Sequence, residues 1–109
     1  MLDRTVLPTQ IGNDPALIAE FLQDYRTSAQ QAATDIRAAL ALGDWKAVGD
    51  GAHKLKSSSR AVGALALGDV CDRLEQAGKA DDAATAQTLA LEFDRDLAAV
   101  LTALTQEGV

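Results

Sequence analysis

The amino-acid sequence predicts an all-α protein, an antiparallel up-down four-helix bundle with a short N-terminal lid segment, in a single domain over residues 1–109. Alanine and leucine are the commonest residues and aromatic residues are few, a composition that favours helix over strand. Both prolines lie within the first 15 residues, so no proline interrupts the remainder. Apolar residues then recur at steps of three and four, the period of an amphipathic helix.

The N-terminal part of the chain is predicted to hold the lid and the first long helix. Residues 2–13 show only weak periodicity and are expected to lie over one end of the bundle, as a turn of helix or an irregular segment. Asp14 and Pro15 are residue types favoured at the N-cap and at the first position of a helix. The apolar stripe that follows persists to Leu42, which predicts one long helix or two in line, and Gly43 is the predicted C-terminal cap.

The second and third bundle helices are predicted to be shorter. Asp44 is the expected N-cap of a helix over residues 45–62, which Gly63 ends. The third helix is predicted over residues 64–77, with Gly78 as its stop. Each of these helices carries an apolar stripe on one face only, so each is expected to pack against a common core.

The last bundle helix is predicted to begin after the acidic pair Asp81 and Asp82, which offers an N-cap. Its apolar residues follow the helical period closely: Ala86, Leu89, Ala90, Phe93, Leu97, Val100, Leu101 and Leu104. Because only two to five residues connect successive helices, neighbouring helices are expected to lie antiparallel.

Composition and charge exclude several classes of protein. The net charge of −6 argues against a general binder of nucleic acid or of anionic membranes. One histidine and one cysteine cannot form a Cys/His zinc site or an internal disulfide, so no metal is expected. No apolar run approaches the length of a spanning helix, and the N-terminal residues do not resemble a signal peptide. We therefore expect a soluble, cytoplasmic monomer, and the initial Met1 with a complete fold favours a free-standing protein.

Several chemistry-bearing residues are interpreted as structural. Cys71 lies on an apolar stripe and is predicted to be a small buried hydrophobe rather than a nucleophile. Trp45, at the start of its helix, is expected to close one end of the core. The acidic pair 81–82 is expected to cap a helix, and Asp94 and Asp96 to lie on a solvated face.

The single histidine has a different setting. At about 100° per residue, His53 points roughly 130° away from the apolar stripe of its helix, so its ring is expected to be exposed. The residues on the same face, one or two turns away, are Lys46, Gly49, Asp50, Lys56, Ser57 and Arg60. Residues 44–63 hold four basic residues against two acidic ones, in a chain that is acidic overall.

This setting suits phosphoryl chemistry. A neutral, exposed imidazole is a nucleophile, and nearby cations favour its neutral form. Lys56 could neutralise an added phosphoryl group, and Ser57 or Ser58 could donate hydrogen bonds to its oxygens. Gly49 destabilises the helix by about 1 kcal/mol relative to alanine, which suggests that a partner approaches there. The predicted docking surface is therefore Lys46, Gly49, Asp50 and Arg60. An ordinary surface histidine remains an alternative at this point.

The stretch from residue 52 to residue 64 resembles the signature of histidine-containing phosphotransfer (HPt) domains. That signature has a histidine, an apolar residue two positions later, lysine three later, glycine four later, often serine next, and glycine ten later. The matching positions here are His53, Leu55, Lys56, Ser57, Ser58 and Gly63. The continuation is also similar to the family's next helix, at Leu67, Cys71, Leu74, Glu75 and Gly78. The resemblance covers nearly the whole chain.

The resemblance implies that His53 is phosphorylated and exchanges the phosphoryl group with aspartates on receiver domains of response regulators or hybrid histidine kinases. It implies that Lys56 stabilises the phosphoryl group and that Gly63 ends the helix. Ser57 replaces the family's usual glycine, so access on that side is expected to be tighter. Magnesium, where needed, is expected from the receiver's acidic pocket, with no cofactor on this chain.

No glycine-rich nucleotide-binding segment occurs in the sequence, so we expect a phosphoryl carrier without its own kinase activity. Two other hypotheses remain open. The chain could be a binding module of the same fold that docks to a receiver or kinase as a scaffold or inhibitor, without carrying phosphate. It could also be a structural bundle with an incidental histidine.

Overall fold

The computed structural model describes residues 2–109, which form five helices and no strand. The helices are α1 (Val6–Ile11), α2 (Pro15–Leu42), α3 (Trp45–Ala61), α4 (Leu65–Lys79) and α5 (Ala83–Gln106). Helices α2 to α5 form the bundle, in which each helix packs against the next and α5 returns to α2, while α1 is the N-terminal lid on α2. The prediction of an all-α bundle with a short lid is confirmed.

Short polar side chains set the starts of three bundle helices, as predicted. The side chain of Asp14 accepts a hydrogen bond from the backbone N–H of Ala16 at 3.0 Å. Asp44 and Asp82 accept in the same way, each from the backbone N–H three residues later, at 3.1 Å. Such caps satisfy N–H groups that the helix leaves unpaired, and each contributes about 1 kcal/mol. Helix α2 is a single helix rather than two in line.

The predicted end of the third bundle helix is wrong. Helix α4 does not stop at Gly78 but continues through it to Lys79. A Cβ atom at Gly78 would lie 2.6 Å from the carbonyl oxygen of Trp45 and 2.9 Å from the backbone nitrogen of Gly49. Glycine is therefore needed at this position because the backbones of α3 and α4 touch, and not because the helix ends.

The turn between α3 and α4 anchors the N-terminal segment. Gly63 has a φ of +86°, and a Cβ atom there would lie 2.0 Å from the carbonyl oxygen of Asp3. The backbone N–H of Asp3 donates to the carbonyl of Gly63 at 2.8 Å. Farther along the lid segment Leu7 is buried in the core, and Arg4 forms an ion pair with Glu107.

Side chains from all four bundle helices fill the core. Its largest fully buried members are Ile36 of α2, Leu55 of α3, Leu67 of α4 and Phe93 of α5. Cys71 is buried and free as predicted, and burial raises the pKa of its thiol to about 12. Trp45 is half-buried and packs against the core at the start of α3.

Within residues 2–109 no helix has the length and apolar character needed to cross a membrane.

Candidate functional site

The imidazole of His53 lies outside the core, on the surface of α3. Its side chain is 60% exposed, whereas Ala52 and Leu55 on the adjacent face of the same helix are buried. The exposure predicted from the helical period is therefore observed. The ring is accessible to a partner while its backbone belongs to a well-packed helix.

A buried carboxylate on the neighbouring helix holds one edge of the ring. Nδ1 of His53 lies 2.9 Å from Oε2 of Glu75 on α4, whose side chain is only 4% exposed. A carboxylate can only accept hydrogen bonds, so Nδ1 carries the proton in this contact. In the neutral ring the lone pair is then on Nε2, for which the described chain provides no hydrogen-bond partner.

Two lysines hold the same carboxylate. The ammonium of Lys56 donates to Oε1 of Glu75 at 2.6 Å, and that of Lys79 lies 3.0 Å from Oε2. Two hydrogen bonds lower the pKa of Glu75 to about 2, and the one donated by Lys56 has a larger effect than the one donated by Lys79. Burial of the carboxylate acts in the opposite direction. Glu75 is therefore ionised at neutral pH and remains an acceptor for Nδ1–H.

The two lysines differ in their freedom. Lys56 is 16% exposed and also donates to Asp72 at 3.2 Å, so two carboxylates hold its ammonium. Both hydrogen bonds raise the pKa of Lys56, and the one to Glu75 has the larger effect. Lys79 is 64% exposed and has one carboxylate partner. Lys79 can therefore move with the loss of fewer contacts than Lys56.

A hollow of about 570 Å³ adjoins the ring on the side of the α3–α4 contact. Gly49 and Gly78 are among the residues that line it. Lys46, Asp50 and Lys79 also line it, and the first two form an ion pair at 2.9 Å across one helical turn. The hydrogen bond that Lys46 donates to Asp50 raises the pKa of Lys46. This hollow offers space for a partner's side chain next to His53.

The predicted docking residues are not equivalent in the structure. Lys46 and Asp50 lie on the exposed surface beside the hollow, as expected. Gly49 was predicted to admit a partner, but it is buried against the backbone of α4, and a Cβ atom there would lie 3.5 Å from the carbonyl oxygen of Glu75, an ordinary contact distance. Arg60 pairs with Asp69 at 3.6 Å across the α3–α4 seam, and its exposed side chain can still reach a partner.

The two serines predicted near the phosphoryl group face different ways. Ser57 is exposed, and its hydroxyl is 3.5 Å from the backbone carbonyl of His53. Ser58 is half-buried and donates to the carbonyl of Leu55 at 3.2 Å, in the groove between α2 and α3. The structure therefore brings Ser57 near the site and turns Ser58 away from the imidazole.

Sequence interpretation gave no role in the site to two residues of α4. Glu75 was matched to a family position without a function, and Lys79 was not considered. One signal could have revealed both. Glu75 adjoins Leu74 on the buried face of its helix, and a carboxylate there requires charged partners, of which the lysine four residues later is the nearest in sequence.

Comparison with known proteins agrees with this geometry. A family model for the Hpt domain matches residues 20–106. The chain therefore belongs to the Hpt domain family, the phosphotransfer modules of two-component systems, whose members interact with receiver domains and kinases. The expected resemblance is confirmed.

A solved structure gives a closer comparison. The chain resembles the crystal structure of histidine-containing phosphotransfer protein B (HptB) from Pseudomonas aeruginosa PAO1, with a TM-score of 0.79 and 28% sequence identity. The alignment covers 97% of this chain and 92% of that one. A search of curated protein sequences finds no match.

Proposed function

We propose that the protein is a phosphorelay intermediate. In this proposal His53 accepts a phosphoryl group from a receiver-domain aspartate and passes it to the aspartate of another receiver. The observation that carries the proposal is the contact between Nδ1 of His53 and the ionised Glu75, which leaves Nε2 as the nucleophilic nitrogen of an exposed ring.

The transfer step requires no proton acceptor on this chain. The Nε2 lone pair attacks phosphorus in line with the bond to the aspartyl oxygen. The N–P bond forms as the P–O bond breaks, and the electron pair leaves with the aspartate carboxylate. The imidazole then carries a positive charge with its proton still on Nδ1, and the Glu75 carboxylate at 2.9 Å stabilises that charge. The reverse sequence delivers the group to the next receiver.

The lysines beside Glu75 stabilise the added charge. A phosphoryl group on Nε2 brings close to two negative charges to the surface of α3. Lys56, held within the cluster, and Lys79, at its exposed edge, provide positive charge, and Ser57, exposed one helical turn after His53, offers a further hydroxyl donor. Magnesium belongs to the receiver's acidic pocket in this scheme.

The docking surface is the exposed face of α3 around the ring. Lys46, Asp50 and Lys54 line the hollow beside His53, and Arg60 lies two turns away on the same face. A receiver that brings an acidic pocket to the imidazole meets this local excess of basic residues. Complementary charge favours the encounter.

Labelling from phosphorylated receivers of the source organism tests the proposal. The wild-type chain is expected to take up acid-labile, alkali-stable label, and His53→Gln to take up none while its helical circular dichroism is unchanged. Label on the His53→Gln protein would contradict the assignment. Binding of a receiver by wild type without any label would instead support a docking module.

A further inference from the structure

The backbones of α3 and α4 touch at one pair of glycines. A Cβ atom on Gly78 would lie 2.6 Å from the carbonyl oxygen of Trp45, 2.9 Å from the nitrogen of Gly49 and 3.0 Å from its Cα. All three atoms belong to the backbone, so none can rotate away as a side chain would. Any residue larger than glycine at position 78 must therefore displace one helix from the other.

This contact lies beside the residues that hold the imidazole. Gly78 follows Glu75 by three residues on α4, and Gly49 precedes His53 by four residues on α3, so each is about one turn from its functional neighbour. A Cβ atom on Gly49 would lie 3.5 Å from the backbone oxygen of Glu75. The backbone that carries the carboxylate is thus itself in contact with α3.

We propose that Gly78 is a positioning residue for phosphoryl transfer, because the helix spacing that it allows holds Glu75 against Nδ1 of His53. This role rests on the proposed function of His53 for its effect on transfer. Glu75 is almost fully buried, and of its three donors only Lys79 lies on the same helix, so an outward movement of α4 draws the carboxylate away from both His53 and Lys56 of α3.

Loss of this spacing has a defined chemical consequence. Hydrogen bonds weaken steeply as the donor–acceptor distance increases beyond the usual range. Without the Glu75 contact, the neutral imidazole also populates the form with its proton on Nε2. That form has no lone pair on Nε2, the exposed nitrogen that attacks phosphorus in the proposed transfer, so only part of the protein is competent.

The tautomer can be measured directly because His53 is the only histidine in the chain. Nitrogen-15 spectra of the imidazole, recorded well above the range in which histidines titrate, distinguish Nδ1–H from Nε2–H. We expect wild type to show chiefly the Nδ1–H form and Gly78→Ala to show a mixture. A folded Gly78→Ala protein with the wild-type tautomer would overturn the proposal.

Gly68 supplies the matched control. It is also a buried glycine of α4 against α3, but a Cβ atom there would meet the Cγ atom of Arg60 at 2.9 Å, within a flexible side chain. Gly68→Ala is therefore expected to keep the wild-type tautomer. A tautomer shift of equal size in Gly68→Ala would show that any disturbance of the interface suffices, and would also overturn the proposal.

A second variant tests the spacing without altering the glycine contact. Glu75→Asp shortens the side chain by one methylene and withdraws the carboxylate from Nδ1. It is expected to reproduce the tautomer mixture of Gly78→Ala, even where Gly78→Ala itself fails to fold. A wild-type tautomer in Glu75→Asp would show that the spacing is not limiting.

Phosphorylation by phosphoramidate gives a second readout that needs no receiver. The Nε2 lone pair attacks phosphorus and forms a new N–P bond, while the P–N bond of phosphoramidate breaks; because the phosphoramidate nitrogen already carries three protons in its zwitterionic form, neutral ammonia leaves with the electron pair. Gly78→Ala is expected to react about tenfold more slowly than wild type, and Gly68→Ala at the wild-type rate. In the Gly78→Ala background, Glu75→Gln is expected to slow the reaction little further, since both act through one contact.

The two hypotheses fail separately. If the tautomer shifts as expected but neither wild type nor variants can be labelled by any donor, the positioning of the ring stands and the proposed function fails. If wild type is labelled on His53 while Gly78→Ala keeps both the wild-type tautomer and the wild-type rate, the proposed function stands and the role of Gly78 is wrong.

Discussion

At the scale of single residues, the chemistry of His53 depends on which ring nitrogen carries the proton. The Glu75 carboxylate determines this, and it stays ionised because Lys56 and Lys79 donate to it. An exposed nucleophile is thus combined with a buried counter-charge. In the proposed function the exposed ring meets the partner, and the buried carboxylate keeps the neutral ring in the tautomer with its proton on Nδ1.

Replacement of Glu75 by glutamine tests this combination. The amide oxygen can still accept one hydrogen bond, but the ammonium of Lys56 loses a charged partner and keeps only Asp72. We expect phosphoramidate labelling to slow about tenfold and the free energy of unfolding to fall by about 1–3 kcal/mol, measured by urea titration. Glu92→Gln, which removes a more exposed glutamate paired with Arg73, is the control and is expected to change stability by less than 1 kcal/mol and labelling not at all.

Replacement of Lys56 is expected to destabilise the fold more than replacement of Lys79. Lys56→Ala removes the donor closest to the buried carboxylate and should destabilise the fold by about 1–3 kcal/mol. Lys79→Ala removes an exposed ion pair and should change stability by less than about 1 kcal/mol, while still slowing transfer. Urea titration and labelling of both variants provide the comparison. Equal losses of stability would contradict the assigned difference in burial.

The pH dependence of stability follows from the lowered pKa of Glu75. Its pKa in the folded state, about 2, is below the ordinary value of 4.5, so its contribution is fully present above pH 4.5 and is lost as the pH falls toward 2. In this window the unfolded state binds more protons, so acid favours unfolding. Urea titrations should show the difference between wild type and Glu75→Gln shrinking from pH 5 to pH 2. A constant difference would show that ionisation of Glu75 does not stabilise the fold.

Sequence reasoning predicted one half of the site and missed the other for a physical reason. The exposure of His53 follows from local periodicity, since residues of one helix share a fixed angular spacing. The contact with Glu75 spans two helices and depends on how they pack, which no local pattern specifies. Ser58 is a different kind of error, because at about 100° per residue it lies roughly 140° around the helix from His53, so the helical period alone already places its hydroxyl away from the ring.

At the scale of elements, helix starts were easier to predict than helix ends. An aspartate N-cap acts on its own helix, and the aspartates at positions 14, 44 and 82 all do so. A glycine is ambiguous, because the same residue type permits a C-terminal turn or a backbone contact. Gly63 ends α3 with a positive φ, whereas Gly78 lies inside α4 against another helix.

Gly63→Ala is expected to release the lid from the α3–α4 turn. Its Cβ would overlap the carbonyl of Asp3 in addition to adopting a positive φ, so we expect a loss of about 1–3 kcal/mol in the free energy of unfolding. Gly43→Ala is the control, because Gly43 also has a positive φ, +67°, but a Cβ atom there would lie no closer than 3.8 Å to a neighbouring atom. Urea titration should show the smaller loss for Gly43→Ala. Equal losses would assign the whole effect to backbone conformation and none to the Asp3 contact.

At the scale of the whole molecule, an acidic chain presents a locally basic face. The net charge is −6, yet residues 44–63 carry twice as many basic as acidic residues. The overall charge repels other acidic proteins at a distance, so in the proposed function an acidic receiver would be attracted chiefly by the basic residues close to the ring. Lys54, exposed beside the hollow and without an ion pair among residues 2–109, is the cation most available for that role.

Charge reversal at Lys54 tests whether the local field guides docking. Lys54→Glu is expected to slow transfer from a phosphorylated receiver about tenfold at low ionic strength, with the difference shrinking as salt screens the charges. Arg95→Glu makes the same charge change at an exposed position on α5 and should have little effect. Phosphoramidate labelling, which needs no docking, should differ between the two variants by less than receiver transfer does. Equal slowing of receiver transfer by the two reversals would show that the net charge of the molecule, rather than the basic face of α3, governs the encounter.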